Sequence, residues 1–578
     1  MLSKVQIILF YTFLTILFLS SMWGILYEYN LATYSLWFFP LILISIDTFS
    51  KRGTKIPHNL GIVFVSFLIL TSISTLFAVN LRQSFEKQLI YISVFLLFIF
   101  AYNKKTEIKK YFLPFVFISS LISLIYSALI WMNVPYSRLF IPENNSQLIY
   151  KVLDYSHYPQ GVFILMLATV LFIRFYYRPS VSRSISLGVA LILLLLSYLR
   201  SAYVGICAVI FLNYFNSKKV INRKIFLILF FFILFLSVLF YITPTLAFRY
   251  QISFFSHLHN TISLGDYSFN SKSLTNGRLL FTSIALQAIK EKPLVGYGPG
   301  NYIYAAMQYG LQEEIVVKTS HNILLDMISE NGIPAGTLFI LLLGFILFRT
   351  WKIIKKRNAD RSDIGIASLF IALLVLFQFN YYHLRPYLFT LLFLAAALFY
   401  EERKNLYTKK LFLILSVVVA GVGVLILTAS IFDAVKKPEI AVRIYPLKEY
   451  FYHNLIRKYY RENRVQELEK VIITYDLLYG QIPESASFIG AYYELQKDDV
   501  RALEYYQRAL LHYPRNTGHI VRVYRFISKI SSEEQAKHYI EDHLQQYPVL
   551  YPGIYFEDQE WFEDWCYNND INCDYQTN

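Results

Sequence analysis

Long apolar stretches separated by short polar loops make up most of the first 433 residues of the chain, with one long polar interruption at 244–331. Runs such as 225–241 and 411–431 approach the length of about 20 residues at which an α-helix crosses a bilayer core. From about residue 434 the composition changes to that of a soluble segment. The pattern predicts thirteen spans, at 5–26, 31–49, 59–78, 88–102, 111–131, 160–177, 184–199, 201–215, 225–243, 332–348, 364–380, 386–400 and 411–431.

Composition supports a membrane protein. The 578 residues are 56% hydrophobic and only 16% charged, which is too little charge for the surface of a soluble protein of this length. The net charge of +15 could suggest nucleic acid. Its distribution indicates orientation instead, because the Lys and Arg residues gather in alternate inter-span loops. This places the N-terminus in the cytoplasm and the loops 132–159 and 244–331, with everything after 432, outside.

These patterns predict an all-α polytopic membrane protein of about 12–13 transmembrane helices, with a helical extracytoplasmic loop and a soluble α-solenoid C-terminal domain. The predicted units are residues 1–243, the loop 244–331, residues 332–433 and the tail 434–578. Within the tail, 491–516 has the helix-turn-helix spacing of a tetratricopeptide-like repeat, and 459–478 is a weaker second copy. A single repeat cannot bury its own apolar face, so we expect two to four units. An undifferentiated helical domain is the alternative.

Arg278 is a candidate anion-binding residue in the outer loop. It follows Asn276, a good N-cap, and precedes an apolar stripe that includes Ile284, Ala285 and Ala288. The sequence therefore predicts Arg278 in the first turn of an amphipathic helix. There the free backbone N–H groups and the helix dipole reinforce the guanidinium as a phosphate site. The alternative is an Arg that reaches for lipid headgroups.

His321 is the candidate base. It follows Ser320, a predicted N-cap, and opens a helix with an apolar stripe at Leu324, Leu325 and Ile328 that ends at Gly332. A helix N-terminus disfavours imidazolium, and a neutral imidazole can take a proton from an attacking hydroxyl. The alternative is a structural histidine.

The remaining candidates are weaker. The sequence Gly-Tyr-Gly-Pro-Gly-Asn at 296–301 predicts a turn whose glycines Gly296, Gly298 and Gly300 permit positive φ and close approach of a ligand, but it lacks the lysine of a P-loop. A turn without ligand is the alternative. Two arginines, Arg200 between two spans and Arg385 in a short outer loop, are charges near the membrane that favour a cavity or a topological break.

The chain resembles the O-antigen ligase and O-antigen polymerase superfamily of membrane glycan transferases. The likeness covers about 200–350. It rests on the Arg-Ser-Ala break at Arg200, on the order of Arg278, the segment 292–301, His321-Asn322 and 330–332, and on the spans that follow. The chain departs from the family pattern around Arg200, where Tyr198-Leu199 and Ala202-Tyr203 replace the family's residues.

The resemblance implies transfer of a glycan from undecaprenyl pyrophosphate to an acceptor hydroxyl, outside the bacterial inner membrane and without cofactor or metal. The acceptor would be lipid A core in a ligase, another lipid-linked glycan in a polymerase, or a protein side chain in an O-oligosaccharyltransferase. In these terms His321, Arg278 and Arg200 are catalytic, while Asn322, Arg385 and the turn glycines bind substrate. The tail is a possible protein-binding surface.

Two other classes of function compete with an enzyme. A transporter of lipid-linked sugars should show broken helices and polar groups at mid-membrane depth in paired halves. The spans predicted here hold few ionisable residues, and the candidate residues gather in one outer loop, so an enzyme is favoured. A membrane anchor for the repeat tail would not need thirteen spans.

Overall fold

The computed structural model describes most of the chain. The described residues are 2–22, 38, 40, 43, 54–131, 146–196, 200–215, 278–309, 319–356, 360–379, 386–402, 404–407, 410–514, 516–547, 549–550 and 574–575. They form an all-α polytopic membrane protein, as the sequence predicts. The described strands are short and make two pairs, β1 (Lys55–Pro57) with β2 (Asn405–Tyr407) and β3 (Val549–Leu550) with β4 (Asp574–Tyr575).

Helices of the membrane part follow the predicted spans closely. Five of the described helices, which begin at His58, Leu81, Lys105, Ile323 and Lys410, are long and apolar enough to cross a membrane, and five shorter apolar helices accompany them. The bounds are α1 Leu2–Met22, α2 His58–Leu76, α3 Leu81–Asn103, α4 Lys105–Trp131, α5 Ser146–Tyr177, α6 Val181–Leu196, α7 Arg200–Phe215, α8 Arg278–Glu291, α9 Tyr302–Tyr309, α10 Ile323–Lys355, α11 Arg361–Phe377, α12 Pro386–Phe399 and α13 Lys410–Ala434.

The structure corrects the sequence prediction at three helix ends. Helix α3 begins at Leu81 because Asn80 caps it, accepting a hydrogen bond from Gln83 N. Helix α5 begins at Ser146, inside the predicted outer loop 132–159. Helix α10 begins at Ile323, two residues after the predicted start at His321, and the non-helical backbone of Gly332 separates this part from the span predicted to begin at residue 332. The predicted span 225–243 lies outside the described residues, as does 31–49 apart from positions 38, 40 and 43.

The membrane helices bury a continuous apolar core. Helix α2 packs along α10, α3 along α12, and α11 lies against α5, α7 and α12. Phe64 and Phe95 meet inside this core with ring centroids 4.6 Å apart. At the end that carries the basic loops, Lys105 pairs with Glu401 at 2.6 Å and Lys109 with Asp363 at 2.6 Å. The opposite end holds the candidate site.

The tail forms successive helical hairpins that bury tyrosine and small side chains. Gly490 permits close packing, since a Cβ there would lie 2.7 Å from the Tyr506 ring. The tetratricopeptide assignment stays a prediction. The bounds are α14 Pro438–Ile444, α15 Glu449–Arg461, α16 Val465–Tyr479, α17 Pro483–Leu495, α18 Asp499–His512, α19 Thr517–Ile530 and α20 Glu533–Gln546.

The tail also contacts the membrane part near the candidate site. Met307 of α9 packs on Tyr513, which follows α18. Tyr304 of the same helix packs against the core of the tail and accepts a hydrogen bond of 2.9 Å from Asn80 Nδ2. Helix α9 is therefore held between the membrane helices and the tail.

Candidate active site

The glycine turn at 296–301 fits tightly against the protein itself. All three glycines have positive φ, at 67° for Gly296, 99° for Gly298 and 77° for Gly300. A Cβ on Gly296 would overlap the carbonyl of Glu330, and one on Gly298 would lie 2.5 Å from Ser84 Oγ. The space beside Gly296 and Gly298 is therefore occupied by other parts of the protein. A contact of these glycines with substrate stays a prediction.

Hydrogen bonds from α2 and α3 fix the turn. Ser74 Oγ donates to Val295 O at 2.6 Å, Gln83 Nε2 to Gly300 O at 2.6 Å and Ser84 Oγ to Pro299 O at 3.0 Å. The amide of Asn301 is fully buried and donates to Tyr297 O at 3.0 Å. Because the donors lie on two membrane helices, the turn is fixed to the end of the bundle that lies opposite the basic loops.

Glu330 joins the turn to the first half of α10. Its carboxylate Oε2 accepts the Gly300 N–H at 2.8 Å, and its backbone carbonyl accepts the Gly298 N–H at 2.7 Å. The side chain is 2% exposed, and its second oxygen, Oε1, has no hydrogen-bond partner in the described structure. Buried carboxylates are rare unless they are paired, so Glu330 marks a functional or architectural constraint.

Asp326 holds the turn that carries His321. Its side chain is fully buried, accepts the Ser320 N–H at 2.6 Å and is also bonded by the Thr319 hydroxyl. Thr319 Oγ1 in turn accepts the His321 N–H at 3.0 Å. His321 itself has a φ of 60°, a left-handed conformation that is uncommon for residues other than glycine. The imidazole is thus presented by a constrained backbone.

Asn322, and not Ser320, is the N-cap of α10. Asn322 Oδ1 accepts from Leu324 N at 2.9 Å and from Leu325 N at 3.1 Å. The prediction of Ser320 is wrong because Asp326 takes the Ser320 N–H and draws that residue out of the capping position. The amide of Asn322 donates to Gln378 O at 3.1 Å, which ties the His321 turn to the end of α11. A direct substrate contact of Asn322 stays a prediction.

The buried face of α10 differs from the predicted apolar stripe. Leu324, Leu325 and Ile328 are only half-buried, while the face with Asp326 and Glu330 points inward. Both polar side chains face the interior, and each accepts a backbone N–H from a neighbouring turn, which lowers the cost of burying it.

His321 lies beside the helix that begins at Arg278. Its ring stacks on Phe281 with centroids 5.1 Å apart and planes inclined by 22°. Phe281 is three residues after Arg278, the first residue of α8, so the two share one helix face. The predicted stripe of α8 is confirmed, because Ile284, Ala285 and Ala288 are buried against α9.

The start of α7 lies at the same end of the bundle. A Cβ on Gly205 would lie 3.3 Å from Ala372 O, and Asn213 Nδ2 bonds Ser368 Oγ at 3.1 Å, so α7 and α11 run antiparallel. Arg200 precedes Gly205 by five residues and Gln378 follows Ala372 by six, so both residues lie about 7–9 Å along their helices toward the same end of the bundle. The α7 start is therefore level with Gln378, which binds Asn322.

Three candidate arginines have side chains that lie outside the described structure. Arg200 and Arg278 each begin a described helix, while their side chains lie outside the description. Arg385 lies outside the described residues. In the part of the chain described, no three His, Cys, Asp or Glu side chains are grouped as metal ligands would be.

Sequence reasoning gave Asp326 no role and used Glu330 only as part of the family pattern at 330–332, although both carboxylates are buried. Asp326 and Glu330 influence a neighbouring tyrosine as well: burial chiefly, and then these two carboxylates, raise the pKa of Tyr302 well above its ordinary value. The available signal was the spacing of four between two acids inside an otherwise apolar helix.

Residues 185–340 match the family model described as O-antigen ligase. This segment belongs to the O-antigen ligase superfamily. The match runs from α6 into α10 and contains Arg200, Arg278, the glycine turn and His321. It supports a membrane glycosyltransferase of the O-antigen ligase or polymerase type. Neither the curated proteins nor the solved structures gave a match.

Proposed function

We propose that the protein is an O-antigen ligase that transfers a glycan from undecaprenyl pyrophosphate to a hydroxyl of lipid A core, at the periplasmic face of the bacterial inner membrane. One observation carries the proposal. Within the matched segment, the His321 ring stacks on Phe281, one helical turn from Arg278. His321 therefore lies against the helix that begins at Arg278, at the end of the bundle opposite the basic loops.

In the proposed reaction, His321 takes the proton of the acceptor hydroxyl while the hydroxyl oxygen forms a bond to the anomeric carbon of the glycan. The bond from that carbon to the pyrophosphate oxygen breaks, and undecaprenyl pyrophosphate leaves with the electron pair. Arg278, with Arg200, stabilises the charge that develops on the leaving oxygens. Attack opposite the leaving group inverts the anomeric centre. The reaction as proposed needs neither metal nor cofactor.

Stacking on Phe281 and the left-handed backbone give His321 one orientation. An oriented base within reach of the acceptor hydroxyl contributes about 10²–10⁴ in rate. The proposal therefore predicts that His321→Ala loses transfer by about hundredfold or more while the protein still accumulates in membranes. His538→Ala is the matched control, because the His538 side chain is 76% exposed on the tail and far from α10 in sequence.

Membranes with each variant would be supplied with the undecaprenyl-pyrophosphate-linked glycan and lipid A core. Full transfer by His321→Ala would remove this histidine from the mechanism. Wild-type membranes that extend the lipid-linked glycan, or modify a protein, while leaving lipid A core unmodified would replace the ligase by a polymerase or a protein O-oligosaccharyltransferase.

A further inference from the structure

Helix α9 packs against α8, the helix on which His321 stacks. Tyr302, the first residue of α9, is fully buried and donates a hydrogen bond of 2.7 Å to the main-chain carbonyl of Phe281. Phe281 is the residue whose ring stacks on His321. Ala305 and Ala306 of α9 are buried in the same apolar cluster as the inner face of α8. The place of Phe281 therefore depends on where α9 lies.

The opposite face of α9 lies against the tail. Met307 is buried against Tyr513, the residue that follows α18, and both side chains are less than a tenth exposed. Ile303 and Tyr304 border this contact, and Tyr304 also packs against the core of the tail. By helical spacing, these three residues of α9 share one face, opposite to the face that packs on α8. A single short helix therefore connects the tail to the helix on which His321 stacks.

The tail is also fixed to the membrane helices at its own start. Asn454 of α15 donates to both carboxylate oxygens of Asp433, near the end of α13, at 3.0 and 3.1 Å. Phe451 of α15 is buried in one apolar cluster with Leu89 of α3. The contact between Tyr513 and α9 is therefore a second connection between the tail and the rest of the protein. A domain that hung from α13 alone would not need it.

We propose that α9 is a positioning element through which the docked tail holds Phe281 and, with it, the ring of His321. The effect on catalysis rests on the proposed transferase function. Loss of the contact between Met307 and Tyr513 lets α9 shift, and the hydrogen bond from Tyr302 to Phe281 carries that shift to α8. A misplacement of about 1 Å can slow a reaction by about hundredfold, so we expect the loss in kcat.

Variants of the full chain, purified in detergent, test the contact between α9 and the tail. We expect Met307→Ala and Tyr513→Ala each to lower kcat about tenfold with little change in KM, and the double variant to lose little more than either. Met307→Leu keeps most of the apolar volume and should restore most of the rate. Leu511→Ala is the matched control and should behave as wild type, because Leu511 lies two residues before Tyr513 and is 69% exposed.

Amide hydrogen exchange of α8, followed by mass spectrometry, tests the connection without any transfer assay. Tyr302→Phe keeps the buried ring and removes only the hydroxyl that bonds Phe281 O. We expect α8 to exchange faster than in wild type in Tyr302→Phe, Met307→Ala and Tyr513→Ala, and to exchange as in wild type in Leu511→Ala. Since Tyr513→Ala also removes a ring from the tail, Met307→Ala, which changes no residue of the tail, has to show the same pattern.

Wild-type exchange of α8 in Met307→Ala would overturn the proposal. A rise in KM for lipid A core alone would also overturn it, because the tail would then be an acceptor-binding surface. Losses that multiply in the double variant would mean that Met307 and Tyr513 act separately, which the proposal excludes. If wild-type protein transferred no glycan while the exchange of α8 responded as expected, the proposed function would fail and the connection would stand. Transfer that is lost in His321→Ala but unchanged in Met307→Ala and Tyr513→Ala would leave the function standing and reject the connection.

Discussion

Gly332→Ala should disconnect the two halves of α10. Gly332 has φ 81° and ψ 165°, a conformation that only glycine adopts without strain, and its replacement costs about 1–3 kcal/mol in backbone strain. A Cβ there would also overlap the carbonyl of Leu294 and lie 2.8 Å from Val295 N. The resulting shift would break the bond of 2.7 Å from Ile333 N to Pro293 O, worth about 0.5–1.5 kcal/mol. We expect a loss of about 2–4 kcal/mol in unfolding free energy.

The same helix offers a matched control. Gly344 is helical, and a Cβ built on it meets nothing within 4 Å. Gly344→Ala should be neutral or gain up to about 1 kcal/mol from helix propensity. Both variants would be compared by thermal unfolding in detergent and by the amount of protein in membranes. If Gly332→Ala melted together with Gly344→Ala, the break in α10 would not be held by this glycine and the account of the turn would be refuted.

Three other predictions address the site and the tail. Asn322→Ala removes the N-cap of α10 and the bond to Gln378 O, so it should cost about 1–2 kcal/mol in thermal unfolding and lower transfer more than His538→Ala; equal melting of the two would contradict this. Arg278→Lys keeps the charge but loses the planar fork, so we expect at least about tenfold slower transfer in the membrane assay; wild-type rates would argue for charge alone. Burial, assisted by Arg522, lowers the pKa of His519 to about 4. Because the unfolded chain binds that proton below about pH 6.5, the tail should lose up to about 3 kcal/mol as pH falls from about 6.5 to 4, a dependence that His519→Gln should flatten in melting curves.

Short sequence patterns predicted where the helices of the site begin and end. Contacts between segments that are distant in sequence determine which faces of these helices are buried. Asn276 and the apolar stripe predicted the helix that begins at Arg278, and Gly332 marked the break in α10. The carboxylates of Asp326 and Glu330 are buried where they accept the backbone N–H groups of Ser320 and Gly300, which belong to two other turns of the chain. Hydrophobic periodicity treats such carboxylates as surface residues. It therefore predicted the stripe of Leu324, Leu325 and Ile328, which is half-buried, and missed the fully buried face that holds Asp326 and Glu330.

The glycine turn also shows what a sequence pattern cannot predict. A positive φ and a missing Cβ indicate that something approaches the backbone closely, but the pattern does not say whether that is a ligand or another part of the chain. Here Glu330 occupies the space beside Gly296, and Ser84 the space beside Gly298. The turn is thus fixed by α3 and α10 before any substrate binds. Since Glu330 bonds Gly300 and Asp326 holds the His321 turn, one short stretch of helix sets both. Changes in the glycine turn should therefore reach His321 through α10 even where they touch no substrate.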